Sequence, residues 1–359
     1  MTSAFPRVIH VAAGRQWRGG ERQVLLLAHG LARVGVPQLV ITASQGRLAA
    51  ELDVIGVPCH RVRWSVALSP GAVLAAVRTA RAAPSLLHAH DPHALVVAGL
   101  ARLAVRVPLV VTRRVTFPLR RPGFWVRSDR IIAISAAVRE ALITSGVDPA
   151  RTTVVHSAVD LEATRAIPAA PLHSRFGIPA GAPVAVSVAA LTAEKDHRTL
   201  IEAARSLHSK RRDLYWLLVG DGPLRPALEA AITASGSTGF VHLAGQVEDP
   251  RPLIAASSVF VSTSTDEGLG TSILDAMALG VPVVATRVGG TPELLEGGAG
   301  ILTAPGSPAA VAEAVDLMLS DAVRRAWTLE RAREAVARFD LPGMVEGVRR
   351  VYRSVVLAR

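Results

Sequence analysis

The chain has 359 residues, with 40 Lys plus Arg against 29 Asp plus Glu, 50% hydrophobic residues and one cysteine, Cys59. That length exceeds one ordinary domain and suits two, each able to bury a sizeable core. A single cysteine excludes an internal disulfide. No apolar run reaches about 18 residues, and the opening residues read as a tail and a short strand, so a cytoplasmic protein is expected.

Strand-like and helix-like stretches alternate from the start. "RVIHVAA" at 7–13 reads as a strand. "GGERQVLLLAHGLARVG" follows as a helix, with Val24, Leu27, Leu31 and Val34 on one face. "QLVITA" is a strand and "RLAAELDVIG" a helix. "SPGAVLAAVRTARAA" is a helix opening at Pro70, "SLLHAH" a strand, "HALVVAGLARLA" a helix and "PLVVTRR" a strand. "RIIAIS" and "RTTVVHSAVD" flank a helix that stops at Gly146. Residues 166–183 hold a cluster of prolines and read as a linker. The alternation then restarts with "VAVSVAA", "DHRTLIEAARSLHSK", "LYWLLVG", "LRPALEAAITAS", "FVHLAG", "SVFVST", "GTSILDAMALG" and "PVVAT". A helical tail begins with "SPAAVAEAVDLMLS". The pattern predicts two doubly wound α/β domains in series, 1–165 and 166–340, with ligands at the carboxyl ends of the strands.

The charge is one-sided. Residues 1–165 contain 21 arginines, no lysine and nine acids, a balance of +12; the rest balances at −1. A basic first half implies an anionic partner such as a phosphorylated substrate, an anionic lipid surface or a nucleic acid.

The chemistry concentrates in "TDEGLGTSILDAMALGVPVVATRVGGTPELL", residues 265–295. "FVSTST" is a strand, "DEGLG" its exit turn and "TSILDAMALG" the helix after it. Glu267 therefore stands at the mouth of the sheet. Gly268 and Gly270 let the backbone turn so that amides face an anion near a helix N-terminus. Asp275 follows eight positions after Glu267.

This stretch resembles the signature of retaining nucleotide-sugar glycosyltransferases of family four, which have the GT-B fold: two doubly wound Rossmann-like domains facing across a cleft. The family's pattern has a second Glu where this chain has Asp275. "WRGGERQVLLLAHGLARVG", "AALTAEKDHRTLIEAA", "LLVGDGPLR", "VHLAGQVED" and Gly289–Gly290 are similar to other family segments and fall in the family's order. The resemblance implies a retaining transferase that moves a sugar from a nucleotide diphosphate sugar to an acceptor held mainly by the first domain. An envelope polysaccharide or lipopolysaccharide core is the expected acceptor class. It implies that the closing helix, about 341–359, packs back on the first domain. It also implies roles. Lys195 would hold the diphosphate, with amides near Leu269 and Gly270. Glu267 would contact the donor sugar and stabilise charge at the anomeric carbon. Asp275 would bind the ribose, Gln246 and Val247 the base. Gly19 and Gly20 would approach the phosphates or sugar from the first domain. No cofactor and no metal are expected.

The chain departs from the family in two places. Ala190 stands where relatives carry a second phosphate-binding Arg, and Arg113–Arg114 where they carry a His; Arg114 is the expected substitute cation. "HAHDPH" places His88, His90, Asp91 and His93 together. A metal reading is disfavoured there because no distant partner ligand is evident, and His90 is expected to line the cleft and touch sugar, while Asp91 before Pro92 fits a helix cap. Trp17 fits sugar stacking or ordinary packing. "FPLRRPGFWVRSDR" interleaves aromatics with Arg120, Arg121, Arg127 and Arg130, a composition suited to peripheral contact with anionic lipid. Two rival readings stand beside the transferase. A nucleotide-sugar epimerase of the same fold would turn over donor alone. A basic nucleic-acid binder is disfavoured by the balanced second half and the lack of a nucleic-acid motif.

Overall fold

Runs such as Val8–Val11 and Val283–Ala285 are at most 1% exposed, so their strands are covered on both faces. Such burial is the mark of parallel sheets clad by helices. A computed structural model describes residues 5–64, 69–119 and 121–357, so Arg120 lies outside the described residues. The chain divides into two compact units, Met1–Ala158 with Leu341–Arg359, and Val159–Asp340.

The first unit holds seven strands: β1 Arg7–Ala12, β2 Gln38–Ala43, β3 Cys59–Val62, β4 Ser85–Ala89, β5 Leu109–Arg113, β6 Arg130–Ala133 and β7 Thr152–Val154. Their order is β3-β2-β1-β4-β5-β6-β7, and every pairing is parallel. The second unit holds β8 Val184–Val188, β9 Tyr215–Val219, β10 Val241–Gly245, β11 Val259–Ser262, β12 Val283–Thr286 and β13 Ile301–Thr303. Their order is β10-β9-β8-β11-β12-β13, again parallel throughout. Each sheet reverses its direction of growth once, between β1 and β4 and between β8 and β11. Side chains leaving the carboxyl ends at such a reversal face an open crevice, because the two flanking connections run to opposite faces of the sheet.

The Leu341–Leu357 helix belongs to the first unit. Leu341, Met344, Val345, Val348, Val351, Tyr352 and Val355 form its buried stripe, against Leu27, Leu31, Leu86 and Val110. Gly30 lets the Gly19–Arg33 helix approach it closely: a Cβ there would fall 2.4 Å from Val345 Cγ2. The second core is built around Trp216, Leu218 and Leu200.

Three details differ from the sequence pattern. Val34 is 48% exposed, because it follows the last residue of the Gly19–Arg33 helix and leaves the apolar face. The division falls after Ala158, so 159–165 belongs with the second unit. The proline-rich 166–183 stretch is not featureless, since Leu172–Phe176 forms a short helix ended by Gly177 in the left-handed conformation. Among the described residues, no helix is long and apolar enough to cross a membrane.

Candidate functional site

In the second unit, the connections after β8 and β11 meet at the reversal point. The first carries Lys195 and the second Glu267. Lys195 Nζ lies 2.6 Å from Glu267 Oε2, and both side chains are 19% exposed. A charge-assisted bond that short fixes both groups at the crevice while leaving them within reach of solvent.

The backbone around this pair is tightly specified. Thr263 Oγ1 donates to the carbonyls of Lys195 and Asp196, at 3.2 and 2.9 Å, and Thr265 N donates to Glu194 O at 2.8 Å. The two connections are thus stitched together. Ser264 Oγ reaches Glu267 Oε2 at 3.5 Å. The Glu267 carbonyl accepts Gly290 N at 3.0 Å. Gly289, at φ +50°, leaves room for that carbonyl, since a Cβ would stand 1.8 Å from it. Gly220 and Gly222 play the same part on the other side: a Cβ on either would strike the Ala189 or Leu191 carbonyl. These glycines therefore let the connection after β9 close on that after β8, and the connection after β12 close on that after β11.

Gly270, at φ +100°, is the N-cap of the Thr271–Ala278 helix, so the Gly268–Leu269–Gly270 turn lies at that helix's positive end. Asp275 is 5% exposed and close enough for its charge to act on Arg251. Gln246 and Val247 follow β10 at the sheet edge, Gln246 exposed. Ala190 sits at the end of β8, where its carbonyl takes His197 Nε2 at 3.1 Å. Lys195 is thus the cation placed beside Glu267.

The first unit repeats the arrangement with other residues. Asp91, after β4, caps the Pro92–Ala104 helix by accepting Ala94 N at 2.8 Å, and its second oxygen accepts Ala13 N at 2.7 Å. This ties the connections after β1 and β4 across the reversal point. Burial pushes the Asp91 carboxyl up, against those two amide bonds. Glu21 Oε2 accepts Arg18 N at 3.1 Å beside the Gly19–Gly20 helix start. Burial raises this carboxyl too. Glu21 and Asp91 both come near Arg114.

The adjacent arginines have opposite fates because successive side chains leave a strand on opposite faces. Arg113 is fully engaged: Nε donates to Val115 O at 3.0 Å, Nη2 donates to Phe117 O, and the guanidinium lies 5.2 Å from the Trp125 ring centre. It braces its own loop. Arg114 is not engaged in this way.

His90 directly follows β4, at the carboxyl end of the sheet. It is 4% exposed, its ring centre is 4.0 Å from that of His88, and its Nε2 lies 2.9 Å from His10 Nδ1. The register pairs His10 with His88, and His90 follows two residues on, so all three imidazoles share one sheet face. His10 is the partner that sequence reasoning missed; it comes 78 positions before His88. One nitrogen from each ring lies within 4.8 Å of the others, a spacing compatible with a metal. Both His88 nitrogens are already engaged, by Tyr352 Oη at 2.7 Å and Thr112 Oγ1 at 2.8 Å. His88 thus ties the cluster into the core, while His10 Nε2 and His90 Nδ1 are buried without a hydrogen-bond partner. Burial holds His10 down to about 4, and burial first, then neighbouring positive charge, holds His88 and His90 well below the ordinary imidazole value. Trp17 packs on the core with Arg47 stacked 5.1 Å from its ring.

Two Rossmann-like units, each with polar groups gathered at its reversal point, define the GT-B class of α/β proteins. The first unit matches the family described as Glycosyltransferase Family 4 over residues 17–163, the second Glycosyl transferases group 1 over 182–321, and the chain belongs to this glycosyltransferase family. It is 33% identical over 260 residues to a 2-deoxystreptamine glucosyltransferase of Streptomyces kanamyceticus, covering 66% of this chain and 64% of that protein. It is 35% identical over 165 residues to the lipopolysaccharide core biosynthesis glycosyltransferase LpsE of Rhizobium meliloti, covering 46% and 47%. The chain thus spans about half to two thirds of these relatives. The solved structure of Anabaena Alr3699/HepE in complex with UDP-glucose superposes with a TM-score of 0.85 at 25% identity, covering 97% of this chain and all of that one.

Proposed function

We propose that the chain is a retaining glycosyltransferase that moves a sugar from a nucleotide diphosphate sugar to an acceptor held mainly by the first unit. The observation that carries this reading is the Lys195–Glu267 pair at the β8/β11 reversal point, 2.6 Å apart and partly open. A diphosphate needs a cation and amides. Lys195 offers the first, and the Leu269–Gly270 turn at a helix N-terminus the second. With that charge dispersed, the leaving group departs without requiring a metal, and Glu267 faces the positive charge that grows at the anomeric carbon. Asp275 takes the ribose, and Gln246 and Val247 the base. Gly19 and Gly20 serve substrate from the first unit. A uridine donor is favoured by the HepE structure, which is described as holding UDP-glucose. His90, which follows β4 at the first unit's reversal point, is kept as the residue expected to touch sugar, with its ring set beside His10 and His88.

The reading places the enzyme in envelope glycan synthesis, on an anionic or lipid-linked acceptor, given the +12 balance of residues 1–165. In the basic segment Trp125 is buried while Phe117, Val126, Arg121 and Arg127 are exposed, the groups we assign to contact with an anionic bilayer. Sedimentation with vesicles of acidic phospholipid, lost on Phe117→Ser with Arg127→Gln, tests that part.

The central test is a thermal-shift and hydrolysis screen against UDP, GDP, ADP and their sugar conjugates. One nucleotide is expected to stabilise the wild type. Lys195→Ala should weaken it about 10- to 150-fold, the loss of one charge-assisted bond of about 1.5–3 kcal/mol. Glu267→Gln should keep nucleotide binding, up to about fivefold tighter because the internal competitor for Lys195 is gone, and turn over about 100- to 1,000-fold more slowly. A nucleotide response that survives Lys195→Ala unchanged sinks the assignment. Product formed without acceptor turns it toward epimerisation.

A further inference from the structure

Arg114 is a charged group of the first unit whose buried Nε has no hydrogen-bond partner. It follows β5 directly, beside the β1/β4 reversal point, with its Cδ 3.7 Å from where a Gly20 Cβ would stand. Its Nε is buried with no hydrogen-bond partner, and among the described residues nothing is bonded or ion-paired to its guanidinium. Arg113, one residue earlier, shows what a structural arginine looks like here: two carbonyls and an aromatic face.

Two carboxylates act on Arg114 without bonding it. Asp91 spends one oxygen on Ala94 N and the other on Ala13 N; Glu21 gives one to Arg18 N. They hold the guanidinium electrostatically and leave its N–H groups over. Gly20 sharpens the point. An added Cβ there would meet Arg114 Cδ alone, at ordinary contact distance, so packing does not demand a glycine. The missing side chain keeps space open next to an unused cation. A half-buried guanidinium with an unmet buried Nε donor is costly to maintain, and its planar fork fits a two-oxygen anion better than a single hydroxyl.

We propose that Arg114 is a specificity-determining residue by which the first unit selects a sugar substrate carrying an oxyanion, either a ring carboxylate or a phosphate ester. This rests on the transferase reading for its biology and on Arg114, Gly20, Glu21 and Asp91 for its geometry.

The test uses the full chain and ligand-observed NMR titration with glucose, glucuronate and glucose 6-phosphate, with UDP titrated separately. The wild type is expected to bind one or both anionic sugars about tenfold more tightly than glucose, as one bidentate charged pair allows. Arg114→Gln should erase that ratio while moving UDP affinity less than about threefold. Retained UDP binding also shows that the variant is folded. Arg114→Lys keeps the charge without the fork and should recover part of the ratio. Glucuronate leading identifies a carboxylate, and glucose 6-phosphate a phosphate ester. A wild-type ratio near one, or a ratio untouched by Arg114→Gln, overturns the proposal. So does a loss of UDP affinity as large as that of Lys195→Ala, which makes Arg114 a diphosphate clamp in place of Ala190. If UDP fails to bind while the anionic ratio stands, the donor reading falls and the Arg114 assignment survives.

Discussion

Acid should loosen the first unit through His10. The ring is 0% exposed, and burial takes its pKa from 6.5 to about 4. An unfolded chain restores the ordinary value. Between pH 6.5 and about 4 the unfolded chain therefore holds a proton there that the folded one refuses. Stability is complete above 6.5 and falls as pH drops through this window, the loss being whole once pH passes below about 4. The shift corresponds to about 3.4 kcal/mol for this one ring, at about 1.36 kcal/mol per pKa unit. For a unit of this size that lowers Tm by about 7–14 °C. His88 and His90 act in the same direction. Carboxylates also titrate in this range, so the informative comparison is with His10→Gln, which keeps a polar group beside His90 and cannot titrate. Denaturant unfolding followed by circular dichroism at several pH values from 7 to 4 gives the slope of stability against pH. The wild type should be steeper than the variant by close to one proton at pH 5. Equal slopes would show that His10 is not proton-linked to unfolding, and the burial argument for the cluster would fail.

Gly289→Ala should be severe, since its Cβ would stand 1.8 Å from the Glu267 carbonyl at a φ of +50°. A cost of about 2–4 kcal/mol is expected, read as a lowered denaturation midpoint, with nucleotide response lost alongside. Asp275→Ala should weaken nucleotide binding by about 1.5–3 kcal/mol. If Asp275 holds the ribose, a deoxyribose analogue should bind the variant and the natural nucleotide alike; independent losses would place it elsewhere. Tyr352→Phe removes the partner of His88 Nδ1 at 2.7 Å and should cost about 1–3 kcal/mol in unfolding free energy.

The architecture was legible because both sheets are parallel, so each strand is a continuous apolar run separated by a helical one. That Lys195 and Glu267 share one end of the second sheet was legible too, since each lies in a connection that follows such a run. What escaped were features made by register. Nothing in "RVIHVAA" announces that His10 will face His88 across a strand pair. Nor does a doubled arginine reveal which member bonds its own loop and which is left unbonded; that depends on which residue ends β5. β3 was missed because only four residues pair there, and neither His60 nor Arg61 is buried. Val34 was assigned to the apolar face by periodicity, whereas the helix ends one residue earlier. Asp91 was read as a cap, which it is, but its second bond to Ala13 needed the β1–β4 neighbourhood.

The short contact between Lys195 and Glu267 has one further consequence. The cation is already occupied by an internal competitor, tethered at high local concentration. Any incoming anion must win an exchange rather than fill a vacancy. For partly open partners that tax is on the order of 1 kcal/mol, about a fivefold loss of apparent affinity. A single weak anion such as chloride gains too little to displace the carboxylate. On the proposed reading, a ligand that met Lys195 and the Gly268–Gly270 amides together would gain enough, and by taking the lysine it would release Glu267 as the sugar arrived. The pair would then filter by valence and link occupancy to the freeing of its own acid.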